Sequence, residues 1–140
     1  GLYGIVISDH SGAVYSRVMR QDSPEDLPLF PCQISVPDPA NPSVTINVPA
    51  TDPGSVVFAS TVERGAKLGC GPVKIVTGVY GNCQIIFSRC YPLIVTFVTE
   101  LDVNRALIYL SIPELEQKLS TLKSKVQEAY TAVHIAKDEH

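Results

Sequence analysis

Ser8, Asp9 and His10 are the residue types of a hydrolytic triad set side by side. A hydroxyl nucleophile, an imidazole base and an orienting carboxylate perform acyl transfer when a fold brings them together from separate elements. Consecutive residues do not meet in that way. The run continues into Ser11-Gly12 and reads as a turn, with Asp9 bonding its own backbone and Gly12 taking a positive φ. Gly69-Cys70-Gly71 has the look of a phosphate-cradling loop. Such loops leave a strand and open a helix, whereas this one leaves a helical stretch and opens a strand, so helix termination is the better account. Cys70 offers a thiol nucleophile and Cys83 a second, but no activating partner stands out for either. His134 and His140 read as solvated side chains near a helix end. Glu63, Glu100 and Asp102 do not fall at a spacing that builds an acid/base pair. The cysteines at 32, 70, 83 and 90 form no C-x-x-C and no Cys/His ligand spacing. No catalytic residue, metal site or cofactor is expected.

The elements that hold these residues are those of one globular domain. The chain has 140 residues, 45% of them apolar, enough to bury a core. A net charge of −3 with scattered Lys and Arg, clustered mildly at Lys118, Lys123 and Lys125, gives no footprint for nucleic acid. Gly1 opens into a strand-like run with no signal-peptide pattern, and thiols without a pairing pattern suit a reducing, cytoplasmic setting. Leu93 to Val98, the longest apolar run, is too short to span a bilayer, so membrane association would come through partners.

Tyr3 to Ser8 reads as a first strand, with Tyr3, Ile5 and Ile7 on one face and Val6 on the other; Val14 to Met19 returns as a second. Eight of the eleven prolines lie between residues 24 and 53, which marks an insertion. Within it, Ile34 with Val36 and Val44 with Ile46 and Val48 alternate around Pro37–Pro42, the pattern of a small extra hairpin lying over the core. Asp52-Pro53 reads as a helix cap and first turn. A helix is predicted over 54–68, with Val57 or Phe58, Val62 and Ala66 on its apolar stripe and Gly69 ending it. Gly65 inside it implies close packing against another element.

Three strands follow in Val73–Glu100, divided at Gly81-Asn82 and Tyr91-Pro92. Leu93 to Val98 is apolar or Thr on both faces and so belongs at the centre, while Val73 to Tyr80 has the mixed character of an edge. A capping box at Ser111-Ile112-Pro113-Glu114 predicts a last helix, with Ile112, Leu115, Leu119, Leu122, Val126, Ala129 and Val133 on its stripe. The domain is expected to cover 1–135, with a polar tail at 136–140. An edge strand with one lysine and no internal proline is weakly blocked, so strand addition at Val73–Tyr80 is the expected docking mode. Val76→Asp is expected to weaken that pairing without unfolding the chain.

Several stretches carry a resemblance. Gly1 to Gly12 (GLYGIVISDHSG), Gly65 to Gly69, Tyr80 with Gln84, Pro92 to Phe97, and more weakly Leu107-Ile108 through Glu114-Leu115 are colinear with one family. The chain resembles the roadblock-domain family in its Ragulator-type, MEK-partner branch. That resemblance implies an α/β (α+β) roadblock/longin-like fold, a five-stranded antiparallel sheet in order 2-1-5-4-3 flanked by helices on both faces, and no enzymatic activity. It implies a heterodimer with a second roadblock-domain subunit, within a scaffold that holds Rag GTPases, serves TORC1 and MAP-kinase signalling, contacts MEK, and sits on late endosomes or lysosomes. Carried onto this chain, the partner interface is Phe58, Val62 and Ala66 on the helix, with Val73, Lys74, Ile75, Val76, Thr77, Val79 and Tyr80 on the strand. Family members carry a helix before the first strand, where this chain opens in a strand, and join the second strand to the next helix more briefly, so most of residues 32–53 reads as inserted. The alternative is a roadblock/longin module that regulates a small GTPase in trafficking or motor complexes.

Overall fold

The computed structural model describes residues 1–24, 33–49 and 53–138. Along the chain run β1 (Leu2–Asp9), β2 (Val14–Met19), β3 (Gln33–Pro37), β4 (Thr45–Pro49), α1 (Pro53–Ala66), β5 (Ile75–Val79), β6 (Gln84–Cys90), β7 (Leu93–Thr99), α2 (Arg105–Lys118) and α3 (Ser120–Asp138). The main sheet is antiparallel, in order β2-β1-β7-β6-β5. With the insertion hairpin left out of the count, this is the expected order, with the second and third strands at the edges.

β7 is central because its sequence has no polar face to offer water. All seven of its residues are buried, between β1 on one side and β6 on the other. Strand alternation sends its side chains into two cores. Ile94 and Val98 join Val6, Phe58, Cys83, Ile85 and Phe87 beneath α1. Val95 and Phe97 join Ile86, Cys90, Ile108 and Val126 beneath α2 and α3. Thr96 lies opposite Val6 and Phe87, fully buried, and its hydroxyl has no hydrogen-bond partner among the described residues. Thr96→Val keeps the shape and removes that orphan. It is expected to raise the unfolding free energy by about 1 kcal/mol, read as a higher urea midpoint at unchanged slope.

The structure changes several local readings. Tyr3 packs with the Val6 core, not with Ile5 and Ile7, because the β1–β7 register shifts between Leu2 and Gly4. Residues 33–49 do form a hairpin, but as a separate two-stranded sheet, and none of its described side chains belongs to either core. The Asp52 cap lies outside the described residues. Gly69 has the positive φ expected after α1, at 78°.

The last helix starts six residues before the proposed capping box. Asn104 caps α2, its side chain accepting from the Ala106 amide at 3.1 Å. Ser111 is interior and donates to the Ile108 carbonyl at 2.7 Å. Pro113 is interior too; it takes a backbone bond away from the helix. Ile108, Ile112 and Leu115, anchored on the sheet, hold the helix through it. The helix breaks at Leu119, which still packs on the core, and α3 continues the stripe through Leu122, Val126 and Tyr130; Ala129 and Val133 are exposed.

Candidate functional site

The would-be triad is dispersed by the alternation of β1. Ser8 faces α1 and shares a hydrogen bond with Ser55, both buried. Asp9 faces the other way and is the centre of a lock. Its carboxylate accepts from the Ser11 amide at 2.9 Å, the Ser11 hydroxyl at 2.6 Å and the Ala13 amide at 3.1 Å. It also accepts from the phenols of Tyr15 and Tyr130, each at 2.7 Å. Burial works to raise its pKa, but the bonds from Ser11, Tyr15, Tyr130 and Ala13 outweigh it and hold the carboxyl below the usual range. Burial and the Asp9 bond push Tyr15 up to about 12, and push Tyr130 up as well. His10 is exposed, its ring tilted 5.3 Å from that of Tyr130. This is a structural tie between the first hairpin and the last helix, with no assembled nucleophile and base.

The thiols divide likewise. Burial pushes the Cys90 thiol up to about 11, helped by its hydrogen bond to the Glu116 carboxylate at 3.4 Å. Cys83 is fully buried and Cys70 exposed. Among the described residues no group of His, Cys, Asp and Glu could hold a metal ion, and no helix is long and apolar enough to cross a membrane.

What remains is the outer flank made by β5 and α1. β5 pairs with β6 on one side, and no described strand pairs with its other edge. The strand itself starts at Ile75. The preceding Val73 sits against Gly65, where an added Cβ would strike its side chain, so the helix glycine gives α1 a close approach to this segment. On β5, Ile75, Thr77 and Val79 point to the α2/α3 side, in register with Ser88, Ile86 and Gln84. Val76 points to the α1 side and packs on that core. Lys74, Ile75, Val79 and Tyr80 are exposed, and Val73, Val76 and Thr77 are half-buried.

On α1 the residues divide differently from a single stripe. Phe58 is 2% exposed and stacks on Phe87 with centroids 5.5 Å apart. Val62 is half-buried beside it and Ala66 is exposed. Val56 and Val57 on α1, the latter 64% exposed, and Leu68 just after it, 79% exposed, are the large apolar side chains that face out. Periodicity left Val57 or Phe58 open for the buried stripe, because Val56, Val57 and Phe58 are consecutive and all apolar. The opposite edge, β2, carries Arg17 within the strand, a cation that discourages strand addition; β5 has none within it, and Lys74 just precedes it.

Gln84, quoted from the sequence only as a point of resemblance, acquires a role in the structure. It is buried, donates to the Leu101 carbonyl and accepts from Arg105 Nε at 2.7 Å, so it fixes the β7–α2 turn to the strand beside the edge.

Comparison with known proteins follows this geometry. Residues 43–126 match the family model described as mitogen-activated protein kinase kinase 1 interacting. Ragulator complex protein LAMTOR3-B of Xenopus laevis is 28% identical over 92% of this chain and 84% of its own. The LAMTOR3 homolog of Drosophila melanogaster is 28% identical over 92% and 86%. The Roadblock/LC7 domain from Streptomyces avermitilis superposes with a TM-score of 0.55 at 12% identity, covering 86% of this chain and 84% of that one. The gliding protein mglB from Thermus thermophilus gives 0.59 at 9%, covering 89% and 79%. The sheet order, the helices on its two faces and the matched span agree: this chain has the roadblock fold and belongs to the mitogen-activated protein kinase kinase 1 interacting family.

Proposed function

We propose that this chain is a non-catalytic adaptor subunit that pairs with a second roadblock-domain protein through β5 and the adjoining flank of α1. The observation that carries the reading is the open edge of β5, with Ile75 and Val79 exposed on the α2/α3 face and Tyr80 beyond the strand end, while Val57 on α1 and Leu68 after it are exposed too. An outer strand of the partner continues the sheet along β5, and its helix lies beside α1, covering Val57. Val73, Lys74, Val76, Thr77, Val62 and Ala66 border the contact, while Phe58 supports it from the core. The pair serves within a Ragulator-like scaffold that holds Rag GTPases and supports TORC1 and MAP-kinase signalling, MEK included, on late endosomes or lysosomes reached through other subunits. The Ragulator names of the LAMTOR3 relatives and the kinase-kinase name of the family support this reading.

Val76 lies against the core, so Val76→Asp would disturb folding as well as pairing. Val57→Asp with Val79→Asp, both at exposed positions, separates the two effects. Light scattering of the chain mixed with a purified Ragulator-type roadblock partner is expected to give a one-to-one complex. The double variant is expected to keep its melting temperature and lose at least ~10-fold in affinity. A wild-type chain that stays monomeric beside such partners sinks the proposal.

A further inference from the structure

On the α1 face of the sheet, a cavity of about 180 Å³ opens between α1 and the Tyr91-Pro92 turn that joins β6 to β7. Its floor is apolar, with Phe58, Ala59 and Val62 from α1 and Ile94 from β7. Arg89 of β6 is the cation in its wall, and none of the described residues lining it is acidic. Arg89 shares the face of Phe87, two residues earlier, and its guanidinium lies over the Tyr91 ring, 5.8 Å from the centroid. Lys74 is its neighbour across the ladder. The β5–β6 register extends one step beyond Ile75 and Ser88, where the Arg89 amide donates to the Lys74 carbonyl at 2.9 Å. Alternation from Val76 sets Lys74 on this same face. Like charges opposite each other across a ladder repel. Neither cation makes an ion pair among the described residues, although the whole chain is acidic at −3.

We infer that this pocket anchors a linear segment of a partner polypeptide, with one apolar side chain of about leucine size in the cavity and a neighbouring carboxylate on Arg89 and Lys74. The opposed cations select the sign of the occupant: an acidic residue relieves their repulsion and a basic one adds to it. The size selects its kind. Sites that enclose a whole small ligand run to about 300–1,000 Å³, whereas this space suits a single side chain whose backbone stays outside. An apolar anchor seated in a pocket with a charge pair at its margin is the usual form of a hot spot. The pocket lies at the β6–β7 turn and not on the outer edge of β5, so the inference stands apart from roadblock pairing.

The test is fluorescence polarisation of the full chain, unpaired, with labelled peptides of about nine residues, Gly and Ser around a central Asp-Leu-Asp. Asp-Ala-Asp and Lys-Leu-Lys versions are the comparisons. Expected is binding of the Asp-Leu-Asp peptide, weakening as salt rises. The Ala version should bind about 10-fold more weakly and the Lys version not at all. Ala59→Phe fills the cavity from a half-buried position on α1 and should abolish binding while the melting temperature is kept. Lys74→Glu with Arg89→Glu, both at exposed positions, should switch the preference to the Lys-Leu-Lys peptide, a gain that a damaged fold does not produce. Val57→Asp with Val79→Asp should leave peptide affinity unchanged while abolishing pairing, so the two proposals fail separately. No binding of the Asp-Leu-Asp peptide at low salt, or affinity indifferent to the central Leu or to the charge reversal, overturns the inference. So does equal competition by free 4-methylpentanoate at the same concentration, which would assign the pocket to a small acid.

Discussion

Phe97→Ala is expected to lower the unfolding free energy by about 3–5 kcal/mol, the usual cost of emptying an aromatic site in a core that cannot collapse. Phe97 is 2% exposed on the central strand. Its strand neighbours across the ladder are Ile5 on β1 and Ile86 on β6, and Ile108 of α2 belongs to the same cluster. Two of its surroundings are hydrogen-bonded strands that cannot close in on the space it leaves. A domain of ordinary stability, about 5–15 kcal/mol, would retain little. Urea unfolding reads the loss directly, with Leu107→Ala as the control: Leu107 is 65% exposed, and its truncation is expected to fall within about 0.5 kcal/mol of wild type. Equal costs at the two positions would contradict the burial described for β7.

Asp9→Ala is expected to cost about 2–4 kcal/mol, because four residues aim five donors at one carboxylate and the buried ones lose their acceptor. The pH dependence has a definite sign. The folded carboxyl lies below its unfolded value of about 3.9, so its stabilisation is complete above that pH and is lost as pH falls through the lower folded value. Tyr15 runs the opposite way. Its folded pKa is raised to about 12, so its contribution is full below about pH 10 and is lost as pH rises toward the folded value. Denaturant titrations across pH should show both limbs in the wild type and a flatter acid limb in Asp9→Asn. Tyr130→Phe removes one donor and should cost about 1 kcal/mol, with the long tie to α3 gone and the local turn intact.

Much of this fold is legible in the sequence where local chemistry and tertiary demand agree. An apolar run with Thr as its polar member can only be a covered central strand, and β7 is one. Gly69 ends α1 because the chain there needs a positive φ. Legibility fails where a distant partner decides. Nothing local says that Asp9 also serves Tyr130, whose phenol arrives from the last helix. Pro113 reads as a first-turn residue because prolines favour that place, yet sheet contacts from Ile108 and Ile112 carry α2 through it. Leu107 and Leu110 add to the misreading: both are exposed, so the first turns of α2 show no amphipathic period. The strand of the candidate site is found by its composition. The helix residues beside it are not, because Val57 and Phe58 differ in orientation and hardly in character.

The placement of β7 also sets an order on synthesis. β1 and β2 leave the ribosome first and can form their hairpin at once, but the inner edge of β1 has its partner only when Leu93–Thr99 has been made. Until then the nascent chain carries an apolar strand edge with nothing to close it, while the proline-rich segment and α1 pass by. The arrival of β7 joins the β1–β2 hairpin to β6 and β5 in a single step, so the sheet assembles late and all together. A nascent chain in which residues 93–99 have not yet emerged is therefore open to aggregation at that edge, and their emergence lets the sheet close.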